Sequence, residues 1–266
     1  MSAIDDMFER CRADRRAAFI PFLTAGDPDL ATTAELMQAM VDGGADMLEV
    51  GVPFSDPIAD GPTIQAATTR ALASGTTLSG VLNLIAQQRD RLGVPIVLFT
   101  YYNPVHARGL EDFAEQAAAS GVDGVLCVDL PPDEAADEFV PTLRRHGLDT
   151  TFLLAPTSDK RRIRAVAERS SGFVYYVSRT GVTGAQKELT KELVREVKKV
   201  RRKLKLPLAV GFGISTPQQV EVVAKVADGV VVGSALVAMI GEYGSDPGLA
   251  RRIEETVRTL SAPLRR

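Results

Sequence analysis

The sequence predicts an α/β chain closed into a single (β/α)8 barrel with one extra N-terminal helix. Three observations carry that reading. Eight short aliphatic or β-branched runs alternate with helical-period stretches from end to end, and alternation of this kind implies parallel βαβ units. At 266 residues the chain has the length of one such barrel, about 250 residues. The first strand run leads into Thr24-Ala25-Gly26-Asp27-Pro28 rather than the G-x-G-x-x-G turn that usually marks a doubly wound open sheet.

The elements follow in order. Ile4, Met7, Phe8 and Cys11 recur at helical spacing within 4–16, so a helix is expected to cover the N-terminal end of the barrel. Strands are expected at 18–24, 47–51, 96–101, 124–128, 150–154, 173–177, 208–211 and 229–232. Amphipathic helices are expected at 29–42, 62–91 with a break near Gly75, 110–120, 132–146, 160–169, 189–203, 216–227 and from 234 onward. A weak internal echo supports a repeated unit. Gly43-Gly44-Ala45-Asp46, Ser120-Gly121-Val122-Asp123 and Lys225-Val226-Ala227-Asp228 each close a helix and open a strand, with glycine suited to the helix C-cap and Asp to the polar turn. No linker or composition break divides the chain, so one domain over 1–266 is expected.

Composition narrows the function. Hydrophobic residues are 45% and charged residues 24%, ordinary for a globular protein. The formal charge is −3 and there is no Trp. The basic cluster Lys198-Lys199 with Arg201-Arg202-Lys203 alternates with Leu193, Val197, Val200 and Leu204, which reads as a solvated helix face rather than a nucleic-acid patch. No run of 18 apolar residues suggests a membrane span, and the N-terminus has no apolar signal segment. Two cysteines, Cys11 and Cys127, fit a reducing cytoplasm.

Barrel chemistry sits at the C-terminal strand ends and in the loops that follow. Glu49 is the clearest candidate there. Strand alternation sends Leu48 and Val50 toward the helices and Glu49 into the barrel. A carboxylate in that place is costly unless paired or protonated. It is either a structural acid with a hydrogen-bond partner or a general acid–base tuned by burial. The next loop, 53–62, carries Pro53, Pro57 and Pro62 with Asp56 and Asp60. It is too long and too stiff for a mere connector. Asp60 is placed to hang over the barrel mouth, and Asp56 to face solvent or a partner.

Gly-rich turns follow three consecutive strands, at 178–185, 211–215 and 233–235. Their backbone N–H groups, with a helix N-terminus, suit a phosphate. None of the eight lysines falls within an expected strand, which removes a Schiff-base mechanism. His106, expected in a surface loop, and His146, expected to cap its helix, are too few for a three-histidine metal site. Cys127 suits either strand face as a small apolar residue. What remains is carboxylate acid–base catalysis on a phosphate-bearing substrate.

Five segments carry a resemblance: 19–28 (FIPFLTAGDP), 48–65 (LEVGVPFSDPIADGPTIQ), 101–104 (YYNP), 178–184 (SRTGVTG) and 211–214 (GFGI). Together they resemble, in order and over nearly the whole chain, the tryptophan synthase alpha subunits. The resemblance implies a lyase that splits indole-3-glycerol phosphate into indole and glyceraldehyde 3-phosphate. By the same resemblance Glu49 is the general acid–base, and Asp60 binds the indole N–H and stabilises positive charge. Phe22 and Tyr101 would form the indole slot, and Tyr175 would lie beside Glu49 and the glycerol chain. Backbone groups of Gly184, Gly213, Gly233 and Ser234 would hold the phosphate, with Phe212 against the substrate. Residues 179–189 would form a lid that brings Thr183 to Asp60. The resemblance further implies no cofactor in this chain, no metal, and a pyridoxal-phosphate-containing beta subunit in an α2β2 heterotetramer. The contact surface would be around Asp56, Pro57 and Tyr102 to Pro104. Two alternatives stand beside it. A neighbouring synthase of the pathway would want a strand-end lysine. A non-catalytic barrel that only activates or scaffolds the beta subunit has no use for Glu49 and Asp60.

Overall fold

Short runs of inward and outward apolar residues become strands because both sheet faces are covered. The computed structural model describes residues 1–177, 186–211, 213–244 and 246–265. The strands are β1 (Ala18–Thr24), β2 (Leu48–Gly51), β3 (Ile96–Thr100), β4 (Gly124–Cys127), β5 (Asp149–Thr151), β6 (Leu153–Leu154), β7 (Val174–Val177), β8 (Leu208–Gly211) and β9 (Gly229–Val232). They form one sheet in the order β5-β4-β3-β2-β1-β9-β8-β7-β6, parallel at every pairing. The fifth expected strand, 150–154, is divided at Phe152. Its first half pairs with β4 and its second with β7, while the Phe152 carbonyl accepts the Tyr175 N–H at 3.1 Å. The two outer strands of the sheet are thus halves of one segment, and the barrel closes through it.

The helices are α1 (Ala3–Ala13), α2 (Leu30–Gly43), α3 (Pro62–Ala73), α4 (Leu78–Leu92), α5 (Tyr102–Arg108), α6 (Leu110–Ala119), α7 (Phe139–Arg145), α8 (Lys160–Arg169), α9 (Gln186–Arg201), α10 (Pro217–Ala224), α11 (Ser234–Tyr243) and α12 (Leu249–Ser261). The break expected near Gly75 is present, with Gly75 at φ +82° and Thr77 capping α4. Three expectations change. His106 lies in the last turn of α5, not in a loop, although it is exposed. The stretch 132–146 is helical only from Phe139, because Pro131 and Pro132 open it and its first N–H groups close isolated turns onto the Pro131 carbonyl. The C-terminal stretch is two helices rather than one. Among the described residues no helix is long and apolar enough to cross a membrane.

Alternation along the strands sorts side chains into two layers. Leu48, Val50, Leu98, Val125, Cys127, Tyr176 and Val210 face the helices. Ala18, Ile20, Met47, Val97, Leu126, Phe173, Ala209 and Val231 fill the barrel interior. Helix α1 closes the bottom of that interior with Ile4, Met7, Phe8 and Cys11, and the Phe8 and Phe173 rings lie 5.8 Å apart. A Ser2–Asp5 capping box starts α1. Helix α1 thus plugs the lower end of the barrel among the described residues.

The sequence echo has a structural cause. Asp46, Asp123 and Asp228 each exchange backbone and side-chain bonds with one residue of the preceding strand. Each Asp N–H donates to the carbonyl of Phe19, Ile96 or Leu208, and each carboxylate accepts that same residue's N–H at 2.8 Å. An arginine from the segment leading into that strand, Arg16, Arg89 or Arg201, then pairs with the carboxylate at 2.7, 3.1 and 2.6 Å. Three copies of one clamp therefore tie strand starts together at the bottom of the barrel, away from the ligand end. An Asp123→Ala protein is expected to lose about 2 kcal/mol, since the Ile96 N–H and the Arg89 guanidinium both lose a charge-assisted partner. Urea denaturation measures it, and its catalytic constants should match the wild type.

Candidate active site

Glu49 reaches the barrel interior because it alternates with Leu48 and Val50 on β2. Its strand neighbours are Phe22 of β1 and Val97 of β3. Above this layer lies a cavity of about 370 Å³, lined by Phe22, Glu49, Asp60, Pro62, Thr63, Ile64, Phe99, Tyr175, Val231 and three glycine or serine turns. Glu49 is 1% exposed, and its Oε1 has no hydrogen-bond partner among the described residues. Burial alone pushes the Glu49 pKa from 4.5 up to about 8, because the charged form is deprived of water. The group holds a proton near neutrality and can return to it after losing one.

Tyr175, 4% exposed, stands in the same cavity. Burial first, and then the charge of Glu49, raise its phenol well above 10, so it remains a donor. Space for its ring comes from Gly211 on the paired strand. A Cβ at 211 would overlap the Tyr175 hydroxyl oxygen and lie 2.7 Å from Cζ. A Gly211→Ala protein must displace a buried ring and is expected to lose about 1–3 kcal/mol of stability. Its kcat should fall more than about tenfold, since small misplacement of reacting groups is costly. Melting and steady-state kinetics on the same preparation check both parts.

The apolar side of the cavity is a slot. Phe22 and Phe99 meet edge to face at 5.3 Å, with Ile64 packed against them. Gly51 admits the Phe22 ring, since a Cβ there would lie 2.7 Å from its Cζ. A flat aromatic ligand fits between such walls.

Asp60 hangs over the slot, half-buried. Its Oδ2 accepts the Tyr101 hydroxyl proton at 3.0 Å, and that hydroxyl accepts the Ala59 N–H at 3.0 Å. Burial raises the Asp60 pKa and the Tyr101 hydrogen bond lowers it.

The third part of the cavity is built from glycine turns and the start of a helix. Gly213 has φ +73°, a left-handed conformation that favours glycine. Gly233 caps α11 without a side-chain hydrogen bond, and Ser234 is the first residue of that helix. No lysine or arginine lines the cavity among the described residues. An anion there would be met by backbone N–H groups and the positive end of α11.

The structure thus brings together Phe22, Glu49, Asp60, Tyr175, Gly213, Gly233 and Ser234. Tyr101 is different: it lies beyond the end of β3 as the residue before α5, and does not line the cavity. It stands behind Asp60, and Phe99, two residues earlier, supplies the wall expected of it. Sequence reasoning missed Phe99, Ile64 and Val231. Alternation from Val97 would have found Phe99, and the start of α3 at Pro62 would have found Ile64. Thr183, Gly184 and Phe212, with lid residues 179–185, lie outside the described residues. Among the described residues no three His, Cys, Asp or Glu side chains gather as a metal site.

Comparison with known proteins gives one family. The family model described as tryptophan synthase alpha chain matches residues 8–263. A tryptophan synthase alpha chain from Geobacter sulfurreducens is 54% identical over 243 residues, 91% of this chain and 92% of that one. One from Geotalea uraniireducens is 52% identical over 262 residues, 98% of this chain and 97% of its own. The crystal structure of tryptophan synthase subunit alpha from Legionella pneumophila superposes with a TM-score of 0.92 at 37% identity, covering 99% and 98% of the two chains. A tryptophan synthase structure from M. tuberculosis, in an aminoacrylate-bound form, gives 0.89 at 37% identity over 100% of both chains.

Proposed function

The chain belongs to the tryptophan synthase alpha chain family, a lyase that cleaves indole-3-glycerol phosphate in tryptophan biosynthesis, and we propose that Glu49 and Asp60 carry that cleavage. The observation that supports this most is the buried Glu49 carboxyl, its Oε1 without a hydrogen-bond partner among the described residues, beside an aromatic slot. Indole fits the slot of Phe22, Phe99 and Ile64, its N–H toward Asp60. The phosphate at the other end meets Gly213, Gly233 and Ser234, with Thr183, Gly184 and Phe212 completing the site.

The reaction needs one proton delivered and one removed. Protonated Glu49 gives its proton to indole C3, which places positive charge on the ring nitrogen. Asp60 accepts the N–H hydrogen bond and stabilises that charge as it forms. Glu49, now a carboxylate, takes the proton from the hydroxyl on the carbon attached to C3. The hydroxyl becomes an aldehyde, the carbon–carbon bond breaks, and its electron pair returns to the ring. Indole and glyceraldehyde 3-phosphate leave, and Glu49 is protonated again. Tyr175 lies beside Glu49 and offers its O–H to the glycerol oxygens.

The chain works as one barrel domain, residues 1–266, without a cofactor of its own. Its partner is a beta subunit that carries pyridoxal phosphate and consumes the indole, in an α2β2 assembly. The loop with Asp56 and Pro57 and the segment from Tyr102 to Pro104 form the contact. Ile58 on that loop is 86% exposed, as an apolar side chain awaiting a partner would be. The unpaired, buried thiols of Cys11 and Cys127 suit the cytoplasm. Indole release from indole-3-glycerol phosphate, by the chain alone and with a beta subunit, is the direct test. No release in either case would refute the reading.

A further inference from the structure

We propose that Tyr101 is a positioning residue for the cleavage reaction, its hydroxyl holding Asp60 so that one carboxylate oxygen faces the ring nitrogen of the substrate. The inference rests on the role given to Asp60 above. Asp60 belongs to the loop between β2 and α3, whereas Tyr101 projects from the end of β3 and is 3% exposed. The phenol ring packs on Phe54 of the same loop at 5.1 Å between centroids. Its hydroxyl has a defined polarity: it accepts the Ala59 N–H and so must give its own proton to Asp60 Oδ2. That leaves Asp60 Oδ1 without a hydrogen bond from any described residue, on a side chain that lines the cavity. The backbone of Asp60 is held as well, its carbonyl by Gln65 at 2.8 Å and its N–H by Pro57 at 3.1 Å.

Such an arrangement does two things. It fixes the carboxylate plane before substrate arrives, so no rearrangement is needed as charge develops. It also favours the ionised form, since a donor bonded to a carboxylate stabilises the charge. The ionisable groups that share the surroundings are Glu49 and Tyr175 across the cavity, Asp56 on the loop, and Asp129, whose charge acts on Tyr101. None is cationic, so the Tyr101 hydroxyl is the described side chain that opposes the effect of burial on Asp60.

The experiment is a double-mutant cycle of Tyr101→Phe and Asp60→Asn, read as kcat and KM for indole-3-glycerol phosphate across pH. Phe keeps the ring against Phe54 and removes only the hydroxyl. Tyr101→Phe should lower kcat about tenfold near neutrality, with KM within about twofold. Its loss should be largest at low pH and narrow as pH rises and Asp60 ionises unaided. In the Asp60→Asn background the same change should cost less than about twofold. A loss independent of pH, a loss confined to KM, or full additivity with Asp60→Asn would overturn the inference while leaving the lyase reading intact. A wild-type chain that releases no indole would sink both.

Discussion

A Glu49→Gln protein is expected to release indole roughly a thousandfold more slowly than the wild type, within the 10²–10⁴-fold range of a positioned acid–base. The amide is nearly isosteric, so slot and anion site persist and KM changes little. What vanishes is the proton that must be delivered to C3 and taken back from the hydroxyl. The loss should hold with a beta subunit present, and an unimpaired variant in both conditions refutes the mechanism. The same substitution has a signature in stability. The folded-state pKa of about 8 lies above the ordinary 4.5, so the native protein keeps a proton that the unfolded chain releases between those values. Stability from this group is therefore full below about pH 4.5, falls as pH rises to about 8, and is constant beyond. The span corresponds to several kcal/mol, on the order of 5. Glutamine does not titrate, so the difference in melting temperature between variant and wild type should shift steadily in favour of the variant across that window. A difference constant with pH would mean that Glu49 is not held protonated.

Asp60→Asn is expected to lower kcat about a hundredfold, with the larger share of the effect in kcat rather than KM. An amide can still occupy the place and accept from Tyr101. It has no full negative charge to set against the cationic ring nitrogen, and losing one group aimed at transition-state charge typically costs about 10²–10³-fold. The charge exists only after C3 is protonated, so ground-state binding is little affected. Steady-state kinetics decide the matter. A change in KM alone would make Asp60 a substrate anchor with no part in the chemical step. Because Glu49 and Asp60 act in one step, their double variant should lose less than the product of the single losses.

Much of this was legible in order along the chain. Short aliphatic and β-branched runs placed the eight barrel strands within a residue or so, and helical spacing of Ile4, Met7, Phe8 and Cys11 found the plug at the bottom of the barrel. Alternation around Glu49 pointed it inward, and the glycine turns expected at 211–215 and 233–235 bring Gly213, Gly233 and Ser234 to the cavity wall. The failures share a character. The helix at Tyr102–Arg108 follows a strand with no spacing signal to separate it, and the start of α7 depends on Pro131 and Pro132 closing turns of their own. Tyr101 was expected in the slot from the resemblance, but β3 ends at Thr100 and the residue beyond it turns over the rim.

By itself the sequence determined the barrel, the inward carboxyl and the glycine-rich strand ends, since backbone periodicity and glycine conformation are properties of neighbouring residues. Tertiary structure alone decided how dry Glu49 is, which aromatic rings wall the slot, and that Tyr101 stands behind Asp60. It also decided that Gly51 and Gly211 are empty space for rings on adjacent strands. Those facts depend on which residues of distant segments come within a few ångströms, and on how much water their meeting excludes.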